Sequence, residues 1–313
     1  MLSFILKRVL ATVPVMGVVA LIVFLLLRLS PGDPAAVIAG DYATAEQIEK
    51  IRTQLGLNQP ILVQFISWLG DLARGDLGVS IFSNLPVSTL IAQRIEPTLM
   101  LAFTTITFSV VVAVPLGVLA AWKAHSWIDR AVMVFAVVGF SMPVFVLGYF
   151  LIYGFALGLR WFPVQGYRSP FVDPGLFVSH ITLPTIALSA IFIALIARIT
   201  RASVLEVLEE DYIRTARAKG QAERKVLLVH ALRNAAVPIV TVIGLGVALL
   251  IGGVVVTESV FNIPGLGRLV VDAIQKRDYP IIQGLILFFS FLYIALNFLI
   301  DIAYTLLDPR IRY

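Results

Sequence analysis

Long apolar runs alternate with polar intervals along this chain. Val9 to Leu27 carries no charge. Pro97 to Trp122 is uncharged and rich in Thr, and Ala131 to Leu159 is uncharged over 29 residues. Pro174 to Ala197 is an apolar run interrupted by Pro184, and Asn234 to Thr257 contains Gly244, Gly246, Gly252 and Gly253. Tyr279 to Ile300 opens a last run that continues towards Leu307. About 20 apolar residues suffice to cross a bilayer as a helix. The pattern predicts an all-α integral membrane protein with six transmembrane helices, near 1–28, 97–122, 131–159, 178–198, 236–257 and 280–305. Ala131 to Leu159 is longer than a straight span needs and contains Pro143, so it is expected to kink, tilt or extend past the membrane.

The polar intervals are of two kinds. Residues 29–96 form a helical segment between the first and second spans, expected outside the cell. It opens on Ser30-Pro31-Gly32-Asp33-Pro34. Thr44 and Gln47 have capping-box spacing before Ile48, Ile51 and Leu55. A break at Gly56-Leu57-Asn58-Gln59-Pro60 precedes a second amphipathic stretch with Ile61, Phe65, Trp68 and Leu72. Gly75-Asp76-Leu77-Gly78 is a further turn. This segment forms either a small external subdomain or helices lying on the membrane surface. The second interval, 199–235, is the loop between the fourth and fifth spans.

Composition agrees with the membrane reading. The 313 residues are 59% hydrophobic and 14% charged, against about half and a quarter in soluble domains. More than half of the 24 Lys and Arg fall in the segments that become cytoplasmic if both termini are inside, including Lys7, Arg8, Lys123, Arg130, Arg310 and Arg312. The net charge of +5 therefore marks topology and not nucleic-acid binding. A signal peptide has a shorter apolar core and a small-residue cleavage site, so Val9 to Leu27 reads as an uncleaved first span. With no cysteine, disulfides and thiol chemistry are excluded.

Candidate chemistry is sparse. There is no phosphate-binding G-x-x-x-x-G-K-[ST] loop and no H-E-x-x-H, and His125, His180 and His230 are scattered. Thr104, Thr105 and Thr107 read as hydroxyls bonded within the helix bundle, with a substrate-path role as the alternative. Asp301 is the one acid placed inside a span, near its cytoplasmic end, where structural anchoring outweighs proton or substrate binding. No catalytic or metal residues are expected.

Arg198 to Arg233 holds eight basic and five acidic residues, too balanced for a nucleic-acid patch. Leu205, Leu208, Tyr212 and Ala216 form a helical stripe, with Ser203 and Glu206 at capping-box spacing. A solvated helix needs no such stripe. Gly220 follows Ala216-Arg217-Ala218-Lys219, where a glycine suits a helix C-cap. Val226 to Leu232 then resumes an apolar pattern. The expected object is a surface helix, a turn and another helix held rigidly on the cytoplasmic face.

This segment resembles the cytoplasmic signature of ABC importer permeases: Glu-Ala-Ala, three residues, Gly, nine residues, Ile-x-Leu-Pro. Gly220 matches the glycine and Ala216 the second alanine. Arg214 and Thr215 replace the Glu and first Ala. His230, Ala231, Leu232 and Arg233 occupy the last four places, matching only at the leucine. Tyr212 to Gly220 and His230 to Asn234 are similar to the variant in dipeptide and oligopeptide permeases. Further landmarks of that family's first permease subunit run through the chain: Lys7-Arg8 with Pro14, Leu29 to Pro34, Leu55-Gly56-Leu57, Gly75 to Gly78, Phe261 to Gly267, Arg277-Asp278-Tyr279 and Asp308 to Tyr313.

The resemblance implies a type I ABC importer permease architecture, with a permease domain over 97–313. It implies a bacterial inner-membrane, multi-pass subunit that is not itself an enzyme. It implies a second, homologous permease, two ATPase subunits that use ATP and Mg, and an extracytoplasmic binding protein that delivers di- or oligopeptides or related solutes. Tyr212, Arg214, Thr215, Ala216, Arg217, Ala218, Lys219, Gly220 and His230 would form the loop that docks on an ATPase. The competing classes are a secondary transporter or channel working alone, which would need buried ionisable or filter residues, and a membrane enzyme, which would need a nucleophile and base. Neither set is found in the sequence.

Overall fold

The computed structural model describes residues 2–29, 34–39, 43–54 and 56–307. Residues 30–33 of the first turn, Leu55, the Asp301 side chain and the tail 308–313 lie outside the described residues. In chain order the helices are α1 Leu2–Leu29, α2 Pro34–Ala39, α3 Ala45–Gln54, α4 Ile61–Ala73, α5 Val87–Trp122, α6 Trp127–Ser141 and α7 Val144–Leu151. They continue with α8 Pro174–Leu208, α9 Asp211–Ala218, α10 Glu223–Lys225, α11 Leu232–Asn234, α12 Ala236–Val260, α13 Leu266–Lys276 and α14 Tyr279–Leu307. Two π-helical turns, Ile152–Gly158 and Val226–Ala231, extend α7 and join α10 to α11. Among the described residues every regular element is helical, and β-structure is limited to one isolated bridge, Val79 to Pro86.

Among the described residues three helices are long and apolar enough to cross a membrane: Val87–Trp122, Pro174–Leu208 and Tyr279–Ile300. The number rises to five if each of two bent pairs is one span, and Leu10–Leu26 adds a shorter apolar helix. The Ala131–Leu159 run is one of the bent pairs: α6 and the α7 segment meet at 103°. The cause is local. Pro143 caps α7, and Met142 before it sits at ψ 122°. The residue before a proline is pushed out of the helical region, so α6 ends there.

The chain divides into two compact units. The first comprises Met1–Ile95 and Leu269–Ala295. In it the aromatic faces of α1 and α4 meet: the Phe24 ring lies 5.0 Å from Phe65 and 5.6 Å from Trp68. Arg28 stacks over Phe24 and donates to Gln64 Oε1 at 2.7 and 3.0 Å. The expected capping box at Thr44 is present, with Gln47 Oε1 accepting from Thr44 N at 2.8 Å and Thr44 Oγ1 accepting from Gln47 N at 3.3 Å. Buried Asp278 accepts from Ser80 Oγ at 2.6 Å and Ile81 N at 3.3 Å. That bond joins the loop after Gly75–Gly78 to the start of α14, so two distant landmark motifs meet in space.

The second unit comprises Glu96–Arg268 and Leu296–Tyr313. Its central helix is α8, which has 67% of its apolar window buried against 22% for α5. Leu183, Leu188, Phe192 and Ile196 of α8 pack with Leu101 of α5 and Val242, Leu250 and Val254 of α12. The apolar period thus continues on several faces of one helix, as expected for a helix enclosed by others. Tyr167, on the loop before α8, donates to Glu96 at 2.9 Å, and burial with that bond holds its phenol well above the ordinary range.

Candidate functional site

Helix α8 runs unbroken through Pro184 to Leu208, so the interruption expected at that proline does not occur. Ser203 and Glu206 therefore lie inside it, and the capping box expected there does not form. The helical stripe Leu205, Leu208, Tyr212, Ala216 is divided by a break at Glu209–Glu210. Leu205 and Leu208 belong to the core patch at the end of α8, with Val204, Leu227, Ala231 and Ala235. Tyr212 and Ala216 belong to the separate helix α9.

The anchor of α9 is Ile213, which is fully buried while Tyr212, Arg214, Thr215, Arg217 and Ala218 remain exposed. Three clips fix its orientation. Asn234 Nδ2 donates to Tyr212 Oη at 3.0 Å and to the His230 carbonyl at 2.7 Å. Arg217 forks onto Glu223 at 2.7 and 3.2 Å. His230 Nε2 and Gln221 Oε1 lie 3.2 Å apart. These bonds connect α9 to the chain that returns towards α12.

The C-terminus of α9 is a Schellman cap. Gly220 N donates to the Arg217 carbonyl at 2.9 Å, and Gln221 N to the Ala216 carbonyl at 3.2 Å. That geometry needs a left-handed residue, and Gly220 has φ +73°. No atom lies within 4 Å of where a Cβ would stand on Gly220. The glycine is therefore required by backbone conformation and not by crowding.

Of the candidate residues, Tyr212, Arg214, Thr215, Ala216, Arg217 and Ala218 fall on α9, with Lys219 and Gly220 at its end. His230 sits in the π-helical turn and reaches the loop through Gln221. Thr104 Oγ1 meets Met100 O and Thr185 Oγ1, both at 2.9 Å, whereas the buried Thr105 hydroxyl has no partner among the described residues.

Sequence reasoning missed two buried acids. Asp129, in the first turn of α6, receives Arg201 Nε at 2.5 Å, Arg201 Nη2 at 2.7 Å and His125 N at 3.0 Å. This ties the turn between α5 and α6 to α8. Ser126 three residues earlier caps α6, a capping-box spacing that marks the position. Glu258 lies in the last turn of α12 and is fully buried. Its carboxylate accepts from Thr98 Oγ1 at 2.6 Å and Arg268 N at 2.9 Å, at the N-terminus of α13. Leu266 N donates to Thr98 Oγ1 at 2.8 Å. A Cβ on Gly265 would overlap the Glu258 carboxylate. The signal was an acid at the end of an apolar run followed by Pro-Gly-Leu-Gly.

Long apolar helices with one exposed, clipped helix between two of them are the arrangement of a membrane-embedded permease component. The chain belongs to the family of binding-protein-dependent transport system inner membrane components: that family's model matches residues 113–313, and the model of its N-terminal part matches 1–102. It is thus a permease subunit of an ABC importer and not an enzyme, and membership implies ATPase and substrate-binding partners. It is 56% identical over 310 residues to a probable peptide ABC transporter permease of Sinorhizobium fredii, covering 99% of each chain. It is 45% identical over 313 residues to the glutathione transport system permease GsiC of Shigella flexneri, covering 100% of each. The fold is similar to a chain of the MetNI methionine ABC transporter in an inward-facing conformation, at TM-score 0.59 and 18% identity, over 71% of this chain and 97% of that one.

Proposed function

We propose that this chain is one of two permeases in an ATP-driven importer of small peptides, and that α9 is the lever through which ATPase movement reaches the pathway. The observation that carries this is the pairing of exposure with rigidity in α9. A helix held by Ile213, three side-chain clips and a Schellman cap presents the rest of its surface to a partner. A lever that bent under load would lose the stroke. The charged rim of Arg214, Arg217 and Lys219 favours partner choice and register over raw affinity.

In this reading the ATPases bind ATP and Mg, and this chain binds neither. ATP-driven closure of the ATPase pair moves α9 on each permease and opens the pathway outwards, and hydrolysis resets it. A second, homologous permease completes the pathway, and a binding protein delivers the solute from outside. The six-span topology with both termini in the cytoplasm counts α1 as the first span, since its 28 residues reach about 42 Å at about 1.5 Å per residue. The peptide substrate class draws on the relatives' names, whose cargo is peptide or glutathione. Uptake of labelled di- and tripeptides into proteoliposomes holding the full complex, with and without ATP, tests it. Peptide uptake requires ATP if the reading holds, and uptake by this chain alone without ATP rejects it.

A further inference from the structure

A cavity of about 210 Å³ opens between α6 and α8, lined by Met133, Ala136, Val137 and Phe140 on one side and by Ala194, Leu195 and Arg198 on the other. Its wall is almost wholly apolar, with one cation at its rim. Two contacts fix how the helices align. Asp129 pairs with Arg201, and a Cβ on Gly139 would stand 3.2 Å from the Ala190 carbonyl. The helices therefore run antiparallel, and Arg198 stands level with Val132 and Met133. Arg130 lies three residues before Met133 and seven before Val137, on the same helical stripe and within a turn of Arg198. Both arginines are exposed, and among the described residues neither guanidinium has a hydrogen-bond or ion-pair partner. The nearby acid on α6, Asp129, is already committed to Arg201.

The same end of the bundle carries a membrane-interface belt. Trp127 is 77% and Trp122 44% exposed, and Lys123 Nζ sits 4.1 Å over the Trp122 ring. Aromatic residues of this kind settle at headgroup level. An apolar cleft that opens at headgroup depth beneath two unpaired cations matches one ligand chemistry: an acyl chain joined to an anionic phosphate. We infer that the α6–α8 cleft holds an anionic phospholipid of the cytoplasmic leaflet, its chain against Val137 and Phe140 and its phosphate between Arg130 and Arg198. The leaflet rests on the cytoplasmic placement of Lys123 to Arg130 in the proposed topology, and that leaflet is the anionic one.

The assembled transporter, purified in detergent and offered equal phosphatidylglycerol and phosphatidylcholine, gives the test by native mass spectrometry of retained lipid. The wild type retains phosphatidylglycerol preferentially. R130E/R198E lowers that preference by at least about tenfold, two headgroup cations having been reversed, while R130K/R198K keeps it. Val137→Trp fills the cleft from an exposed position and lowers retention of both lipids. Unchanged preference in R130E/R198E overturns the site, and so does unchanged lipid retention in Val137→Trp, which would leave only a headgroup contact. A cysteine at Val137 that cross-links to a neighbouring protein helix instead of a photoactivatable lipid also overturns it. Because the chain has no cysteine, His125→Cys reports orientation separately: labelling from the cytoplasmic side supports the leaflet assigned, and labelling from outside rejects the leaflet.

Discussion

Asn234 and Tyr212 are 22 residues apart, yet the Asn234 amide donates to the Tyr212 hydroxyl at 3.0 Å. The bond joins the exposed helix α9 to the chain just ahead of α12. It provides a short route by which displacement of α9 reaches a membrane helix without passing through the turn at Gly220. Tyr212→Phe and Asn234→Ala should each lower solute transported per ATP hydrolysed in the full complex while leaving assembly intact. One exposed hydrogen bond is worth about 0.5–1.5 kcal/mol. The double variant should be no worse than the more affected single variant. Additive losses would show that the two side chains act separately.

Gly220 separates a conformational requirement from a steric one. Its φ of +73° costs an ordinary L-residue about 1–2 kcal/mol, more for a β-branched one, and Asn tolerates it best. Gly220→Val should insert normally but uncouple ATP hydrolysis from uptake, and Gly220→Asn should retain most coupling. Equal loss in both variants, read as uptake per ATP, would mean that the partner needs the empty space at Gly220 instead.

Asp129 and Arg201 form a bidentate pair whose acid is nearly buried. Removing one partner of such a pair costs about 3–5 kcal/mol because the other charge is left behind, whereas replacing both with apolar groups is close to neutral. Thermal unfolding of the purified chain should show Asp129→Ala as strongly destabilised and Asp129→Ala/Arg201→Met as substantially recovered. A double variant no better than the single would place the importance of Asp129 in its bond to His125 N instead.

At Glu258 the constraint is space as well as charge. Gly265→Ala drives a Cβ into the carboxylate, and overpacking of this kind costs about 1–3 kcal/mol. Glu258→Gln keeps the shape and an acceptor for Thr98 or Arg268 N. The melting temperature should fall further for Gly265→Ala than for Glu258→Gln. The reverse order would make the negative charge at the start of α13 the dominant factor.

The apolar runs revealed the helices, because a bilayer demands long uncharged stretches and the chain supplies them. The capping box at Thr44 and the left-handed glycine at Gly220 were also legible, since both are local backbone requirements. What stayed hidden depends on tertiary contact. Ser203 and Glu206 have the spacing of a helix start, but Val204 is buried in the patch with Leu227 and Ala235, and that packing carries α8 on to Leu208. Glu258 read as the end of a span because nothing in sequence places Thr98 beside it, 160 residues away. Arg217 read as one charge of the docking loop, and only the fold brings Glu223 to it.

The central claim is that α9 touches an ATPase and moves with it. The cysteine-free chain permits a direct measurement. Ala218→Cys, at the exposed end of α9, is carrying a short photo-cross-linker in the complete transporter when it is activated with and without ATP. A cross-link to an ATPase subunit whose yield changes on ATP binding is the expected result. A cross-link to lipid or to no protein, in a complex that still transports, would contradict the claim.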